Sequence, residues 1–448
     1  MTLSDFIVKT SFNDLPASAV HGAKRAILDC IGVMLAGSRE DASKIAAELF
    51  MKFKNQNGAP VVGLGFAIEP TIAAMLNGIS AHVLDYDDSS VSLTGHPSAS
   101  VVAACLALAS QTSVSGRDFL LAYIIGVEIE VKMALSIPEH YNWGWHNTST
   151  FGVFGATAAC SRLLSLTTDE TGRALGVAAS LASGLRQNFG TMTKSLHTGN
   201  AARGGLLASM LAKGGFTSDS EEAIRGPRGF CKVFSGGGAY DLQKTLRSLG
   251  NPWEVSDPGI RIKLYPCCTS NHRPIEATIL LTKEQDIRPD EVEKIECGVI
   301  FRVPENLIRN EARTGIEAKF SLQYCVARAL ISRSVVISHF DDVQVVDPDV
   351  QELMKRISMY VHPEGRKEVM QRQFAEVKIT LKNGKTYCKR VYEQEGHPLR
   401  PLTDEQVKSK FMNCATRTYE SNKSRSLLEL LWRIDSIPCI EPILEMLK

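Results

Sequence analysis

The sequence predicts a mainly α protein with two domains: a large, discontinuous helical domain (residues 1–260 and 400–448) and a smaller α+β domain (residues 261–399). Three observations carry this. From Ala17 to Met210 the text is nearly all helical and rich in Gly and Ala. After a loose stretch at 219–258, which ends NPWEVSDPG, two segments alternate apolar and polar residues as strands do: EVEKIECGVIF (291–301) and AEVKITLKNGKTYCKRV (375–391). From Thr403 the text is helical again, and Thr403 with Gln406 forms a capping pattern.

Taken in order, residues 15–37 read as a helix with Pro16 in the first turn, a stripe of Ala19, Ala23, Ala26 or Ile27, Cys30 and Met34, and Gly37 as the stop. Helical text continues at 41–54, and 57–65 is a turn with a short extended piece. Pro70 opens a helix whose small residues imply close packing, and a further helix runs over roughly 98–110. A long helix spans 118–135 and stops before Pro138; Glu128 and Glu130, set in its apolar text, fit a solvated edge. Thr167 with Glu170 caps the helix that ends near Ser183. Gly184 to Gly199 reads as a polar, glycine-rich loop, with Asn200 opening the next helix. In the smaller domain, helices are expected at about 270–284, 317–332 and 348–358, and Asn383-Gly384 marks a hairpin turn.

Composition excludes some partners. A net charge of +1 offers no general attraction for nucleic acid or a membrane surface, and no apolar run is long enough to span a bilayer. The first residues, MTLSDFIVKTSFNDLP, contain acids and no basic region, so they do not read as a signal peptide. The eleven cysteines are scattered, mostly in apolar helical text, which fits reduced thiols in a cytoplasmic protein.

Three polar clusters interrupt the apolar helices. The first is HVLDYDDSSVSLTGHPS (82–98), with Asp85, Asp87, Asp88, His82 and His96. The second joins His146 with Lys194 and His197, and the third is RIKLYPCCTSNH (261–272), with Arg261, Lys263, Tyr265, Cys268 and His272. Each has a structural alternative: the acids can cap a helix, His146 can be a packed loop residue, Lys194 a surface charge. Together they suggest one cavity. The acids with His82 and His96 offer divalent-metal ligands, but no paired-histidine or facial-triad spacing is present, and no metal is expected. Acid–base chemistry on an anionic substrate held by Lys and Arg is the simpler reading. A nucleophilic Cys268, with Lys263 and His272 near in sequence, is its rival.

Five pieces of the chain, HVLDYDDSSVSLTGHPS, GWHNTSTFGVFGATAA, NFGTMTKSLHTGNAARGG, KLYPCCTSNH and KFSLQY, resemble the MmgE/PrpD family over nearly the whole length. That family includes 2-methylcitrate dehydratases, cis-aconitate decarboxylases and iminodisuccinate epimerases; the second and third pieces look most like the epimerase branch. The resemblance implies a helical domain built from both chain ends, a small lid domain, a homodimer, and no metal or organic cofactor. It also implies site positions at Asp85, Ser89, His96, His146, Lys194, Lys263, His272 and Tyr324. Where the decarboxylase branch has a histidine two residues after the proline, this chain has Cys268.

On this basis the chain is expected to move a proton at a carbon next to a carboxylate in a small di- or tricarboxylic acid. Lys194 and Lys263 would hold carboxylates, and His96 or Asp85 would move the proton with His146 assisting. Tyr324 and Ser89 would supply hydrogen bonds, and Cys268 and His272 would line the substrate. A dehydratase-like or decarboxylase-like lyase, an epimerase-like isomerase and a non-catalytic carboxylate binder all fit these residues.

Overall fold

A computed structural model describes residues 2–448. Helix accounts for 58% of the chain and strand for 9%, so the mainly α class read from the sequence holds. The backbone groups into two compact units: residues up to Ile262 together with Thr403–Lys448, and Lys263–Leu402.

In the first unit the Ala17–Gly37 helix packs on the Pro70–His82 helix and on the Asp404–Ala415 helix from the C-terminal segment. Glu69 caps Pro70–His82 by accepting from Ile72 N at 3.0 Å. Pro97–Ala109 is buried on every face, which suits a helix apolar all round. Around it lie Gly116–Ser136, Gly152–Leu163 and Thr193–Lys213. The Thr167–Glu170 and Thr403–Gln406 capping boxes both form. The extended piece near residue 60 is a small hairpin, β1 (Ala59–Val61) against β2 (Phe66–Ile68). The loose stretch after residue 219 holds three short helices, Glu222–Arg225, Phe230–Phe234 and Leu242–Arg247.

Two sequence readings need correction here. Glu128 and Glu130 are not a solvated edge, since both are buried. Glu128 accepts from the Gly250 and Glu254 amides at 2.8 and 2.9 Å, which staples the 250–254 segment to the Gly116–Ser136 helix. Glu130 is fully enclosed, and burial pushes its carboxyl well above the usual range. Second, the helix after the glycine-rich stretch begins at Thr193, so Lys194 and His197 sit on its first turns rather than in a loop. Packing overrides the low helix propensity of Gly199. A Cβ there would lie 2.4 Å from the Met75 carbonyl oxygen, and a Cβ on Gly78 would lie 2.8 Å from Gly199 Cα. The helix carrying Lys194 and the helix ending at His82 therefore cross where neither has a side chain.

The second unit is a four-stranded sheet in the order β4-β3-β5-β6, with β3 (Val292–Val299), β4 (Ile357–Val361), β5 (Ala375–Leu381) and β6 (Thr386–Val391). β3 and β4 are parallel, and the other pairs are antiparallel. Asn383-Gly384 forms the β5–β6 turn, with Gly384 at φ 82°. Ala375, Val377, Ile379 and Leu381 line the buried face of β5, against which the His272–Glu284 helix packs. The helix expected over 348–358 stops at Met354, and β4 takes up the chain from Ile357. Its alternating burial is that of a strand paired to β3. Among the described residues, no helix is long and apolar enough to cross a membrane.

Candidate active site

The first unit gathers its polar residues where three elements meet: the His82–His96 segment, the loop at His146, and the first turns of Thr193–Lys213. The segment is pinned at both ends. Helix Pro70–His82 delivers His82, and His96 stands at the residue before helix Pro97–Ala109. Between them Ser89 and Arg261 exchange backbone hydrogen bonds at 2.9 and 2.8 Å. Asp85 adopts a left-handed backbone, φ 50°, which Asp tolerates better than most residues. Such a conformation persists only where the surroundings hold it.

The three acids have separate tasks. Asp87 Oδ2 lies 2.7 Å from His82 Nδ1 and 3.3 Å from His96 Nδ1. Asp85 Oδ1 accepts from Lys194 Nζ at 3.2 Å and lies 3.7 Å from His96 Nε2. Asp88 turns away: it accepts from the Ser98 hydroxyl and from Ser98 N, and the same hydroxyl lies 2.6 Å from the Tyr123 hydroxyl. Asp88 thus caps the buried helix, and burial pushes its carboxyl up to about 8 against the opposing hydrogen bond from Ser98.

Lys194 Nζ also lies 2.7 Å from His82 Nε2. A lysine ammonium only donates, so His82 Nε2 is the acceptor, and Nδ1 carries the proton given to Asp87. The electrostatics agree. Burial, with Lys194 adding to it, brings His82 down to about 4 despite the neighbouring Asp87. For Asp87, burial alone would raise the carboxyl, but its two imidazole partners outweigh that and hold it well below the usual range.

His146 completes the group. Its Nδ1 lies 3.1 Å from His197 Nδ1, its ring stacks on His82 at 5.6 Å, and Phe189 meets it edge-on at 4.9 Å. Burial is the main cause that lowers both rings, His197 to about 4 and His146 well below its ordinary value, with Lys194 adding to each. His96 keeps 13% of its side chain exposed, whereas His82 has none. Its Nδ1 side faces Asp87 and its Nε2 side faces Asp85, so an anchored imidazole edge is left to exchange a proton.

Of the residues read from the sequence, the structure brings together His82, Asp85, Asp87, His96, His146, Lys194 and His197. Ser89 is buried on the same segment, and its hydroxyl has no hydrogen-bond partner among the described residues. His82, Asp87 and His96 place ligand atoms within 4.8 Å of one another, a donor set that suits a divalent ion, though their imidazole Nδ1 atoms already face Asp87.

In the second unit Lys263 is fully buried. Cys268 is half-buried, and its amide donates to the Lys319 carbonyl at 3.1 Å. His272 Nε2 lies 3.3 Å from the Cys267 carbonyl, with Tyr265 edge-on at 5.2 Å. The Tyr324 hydroxyl donates to the His339 carbonyl and accepts from Arg328 Nε at 3.3 Å, inside the apolar core of its own unit. Burial pushes that phenol up to about 12.

The structure gives central places to His82, Asp87 and His197, residues of the polar clusters that carry no catalytic or substrate-binding role in the sequence reading. Their signals were present: His82 and Asp87 lie in the first polar stretch, and His197 lies three residues after Lys194, on the same helical face.

Residues 1–243 match the MmgE/PrpD N-terminal domain, and residues 265–435 match the MmgE/PrpD C-terminal domain. A cis-aconitate decarboxylase of Mus musculus is 28% identical, with 97% of this chain and 90% of the relative covered. Those of Homo sapiens and Aspergillus terreus are each 27% identical, with 96% and 97% of this chain and 93% of each relative covered. With both domains matched, the chain belongs to the MmgE/PrpD family.

Proposed function

We propose that this protein is a lyase that cleaves a bond next to a carboxylate in a small di- or tricarboxylic acid, with cis-aconitate the first substrate to test. One observation carries the reading: a buried hydrogen-bonded chain runs from Lys194 through His82 to Asp87, whose carboxylate faces the partly exposed ring of His96 at 3.3 Å. Relatives named cis-aconitate decarboxylase, matched over nearly the full length of both chains, support the lyase class.

In this reading Lys194 meets the negative charge that grows beside the carboxylate, at a site where water is largely excluded and each charge counts for more. For decarboxylation, the bond to one carboxyl carbon breaks, CO2 leaves, and the electron pair passes into the adjoining unsaturated system. His96 then returns one proton to carbon, and solvent restores it to the ring. Asp87 orients His96, and Asp85 faces the ring edge that transfers the proton. Ser89 offers a hydroxyl to the substrate. We assign the charge stabilisation to Lys194 and the imidazoles and place no cofactor in this step. The roles of Lys263, Cys268, His272 and Tyr324, and assembly as a homodimer, are part of the same proposal and rest on the family resemblance.

The test is NMR in deuterated water with a panel of di- and tricarboxylates. A lyase gives a new alkene with CO2 or water. Exchange of a proton for deuterium without loss of a fragment would replace the lyase reading with an isomerase. Binding with neither change would reduce the protein to a carboxylate binder.

A further inference from the structure

The segment that carries the site acids is held from behind by residues that belong to none of the three polar clusters. Lys410, on the Asp404–Ala415 helix, extends a side chain that is only 3% exposed. Its Nζ lies 2.7 Å from Asp29 Oδ1, on the buried side of the Ala17–Gly37 helix. The same Nζ donates to the Tyr86 carbonyl at 2.9 Å and sits 3.9 Å from the centre of the Tyr86 ring. Tyr86 lies between Asp85 and Asp87, so its peptide group sets where both side chains start. Asp85 has the left-handed backbone that surroundings must enforce, and Asp87 meets two imidazoles at once. The Tyr86 carbonyl thus ties the segment that bears the two acids to the Lys410–Asp29 pair.

We infer that Lys410, anchored by Asp29, is the positioning residue of the site, holding the Asp85–Asp87 segment in the register at which its carboxylates meet Lys194, His82 and His96. Only the catalytic consequence rests on the proposed function; the register is observable without a substrate.

The test uses the full chain, labelled with 15N-histidine, and follows which ring nitrogen of His82 carries the proton, with His82→Gln as the assignment control. Lys410→Met alone strands Asp29 in the interior and risks misfolding, so Asp29→Asn/Lys410→Met is made beside it. A buried ion pair replaced by neutral groups of similar size is often tolerated. The double variant is expected to melt near the wild type, lose the single Nδ1–H signature of His82, and show kcat on cis-aconitate lowered at least tenfold with KM changed less than threefold. A folded double variant with the His82 signature and kcat of the wild type would overturn the inference. If the signature is lost but the wild type turns over no carboxylate, the positioning role stands and the lyase reading falls.

Discussion

Nζ of Lys194 lies 2.7 Å from Nε2 of His82, with both side chains buried. The contact fixes the tautomer of His82, directs its other nitrogen at Asp87, and places a cation where a substrate carboxylate could share it.

Lys194→Ala is therefore expected to lower kcat/KM on a cis-aconitate-like acid by roughly 10²–10³, the usual cost of a lost charge-stabilising donor. The fold should survive. Lys194 is among the groups that keep His82 and His197 neutral, so both rings should titrate above about 4 in the variant. Steady-state kinetics and an NMR histidine titration check the two halves separately.

Asp87→Asn should move His82 the other way. Asp87 is a raising influence on that ring, so its neutral replacement lowers the His82 pKa further below about 4. His96 loses its anchoring carboxylate at the same time, and turnover should fall by roughly 10²–10⁴, the range of a positioned acid–base group. Unchanged turnover would remove Asp87 from the mechanism.

Asp88→Asn tests the buried cap. The folded carboxyl keeps its proton up to about 8, whereas an unfolded one loses it near the ordinary 3.8. Between those values the folded state binds more protons, so this group's contribution to stability is full at low pH and declines as pH rises. The variant lacks that decline, and its stability relative to the wild type should grow from pH 4 to pH 8 by up to about 1.4 kcal/mol per pH unit. The buried histidines act in the opposite sense, but they are common to both proteins and cancel in the difference. Urea unfolding at a series of pH values is the measurement.

Gly199→Ala places a methyl group against the Met75 carbonyl. Overpacking of this kind costs about 1–3 kcal/mol, and it should also part the helices that bear Lys194 and His82. A fall in kcat together with stability is expected, and a stable variant with normal kcat would show that the crossing has slack.

Tyr324→Phe deletes a hydroxyl bonded to the His339 carbonyl in the apolar core. A loss of about 1 kcal/mol in unfolding free energy is expected. A fall in turnover beyond tenfold at normal stability would mark the phenol as part of the chemistry instead.

The helical class, the capping boxes and the Asn383-Gly384 turn were legible because each is written in neighbouring residues. The polar clusters were legible for a related reason: charge inside apolar helical text is costly unless it is used or paired. The burial of Glu128 was not, since its partners are amides more than 120 residues away and leave no mark on the local pattern. Helix Thr193–Lys213 starts earlier than its glycines suggest because a neighbouring helix fits against them. Strand β4 was hidden because its text follows directly on a helix and its parallel pairing with β3, Ile295 to Ile357, is long-range. Asp29 and Lys410 were likewise hidden, although an acid within the apolar text of Leu28 and Cys30 is the kind of signal that now points to them.

The return of the C-terminal segment to the first unit also has a consequence for biosynthesis. Tyr86 leaves the ribosome long before Lys410, and at ordinary elongation rates the interval is on the order of tens of seconds. During that time the nascent chain holds its Asp85–Asp87 loop without the rear support, and the Ala17–Gly37 helix lacks the Asp404–Ala415 helix. The site is thus finished last, after the entire second unit has been translated. A ribosome-stalled chain ending at residue 402 should leave the Asp85–Asp87 loop open to protease, and release of the remaining residues should close it.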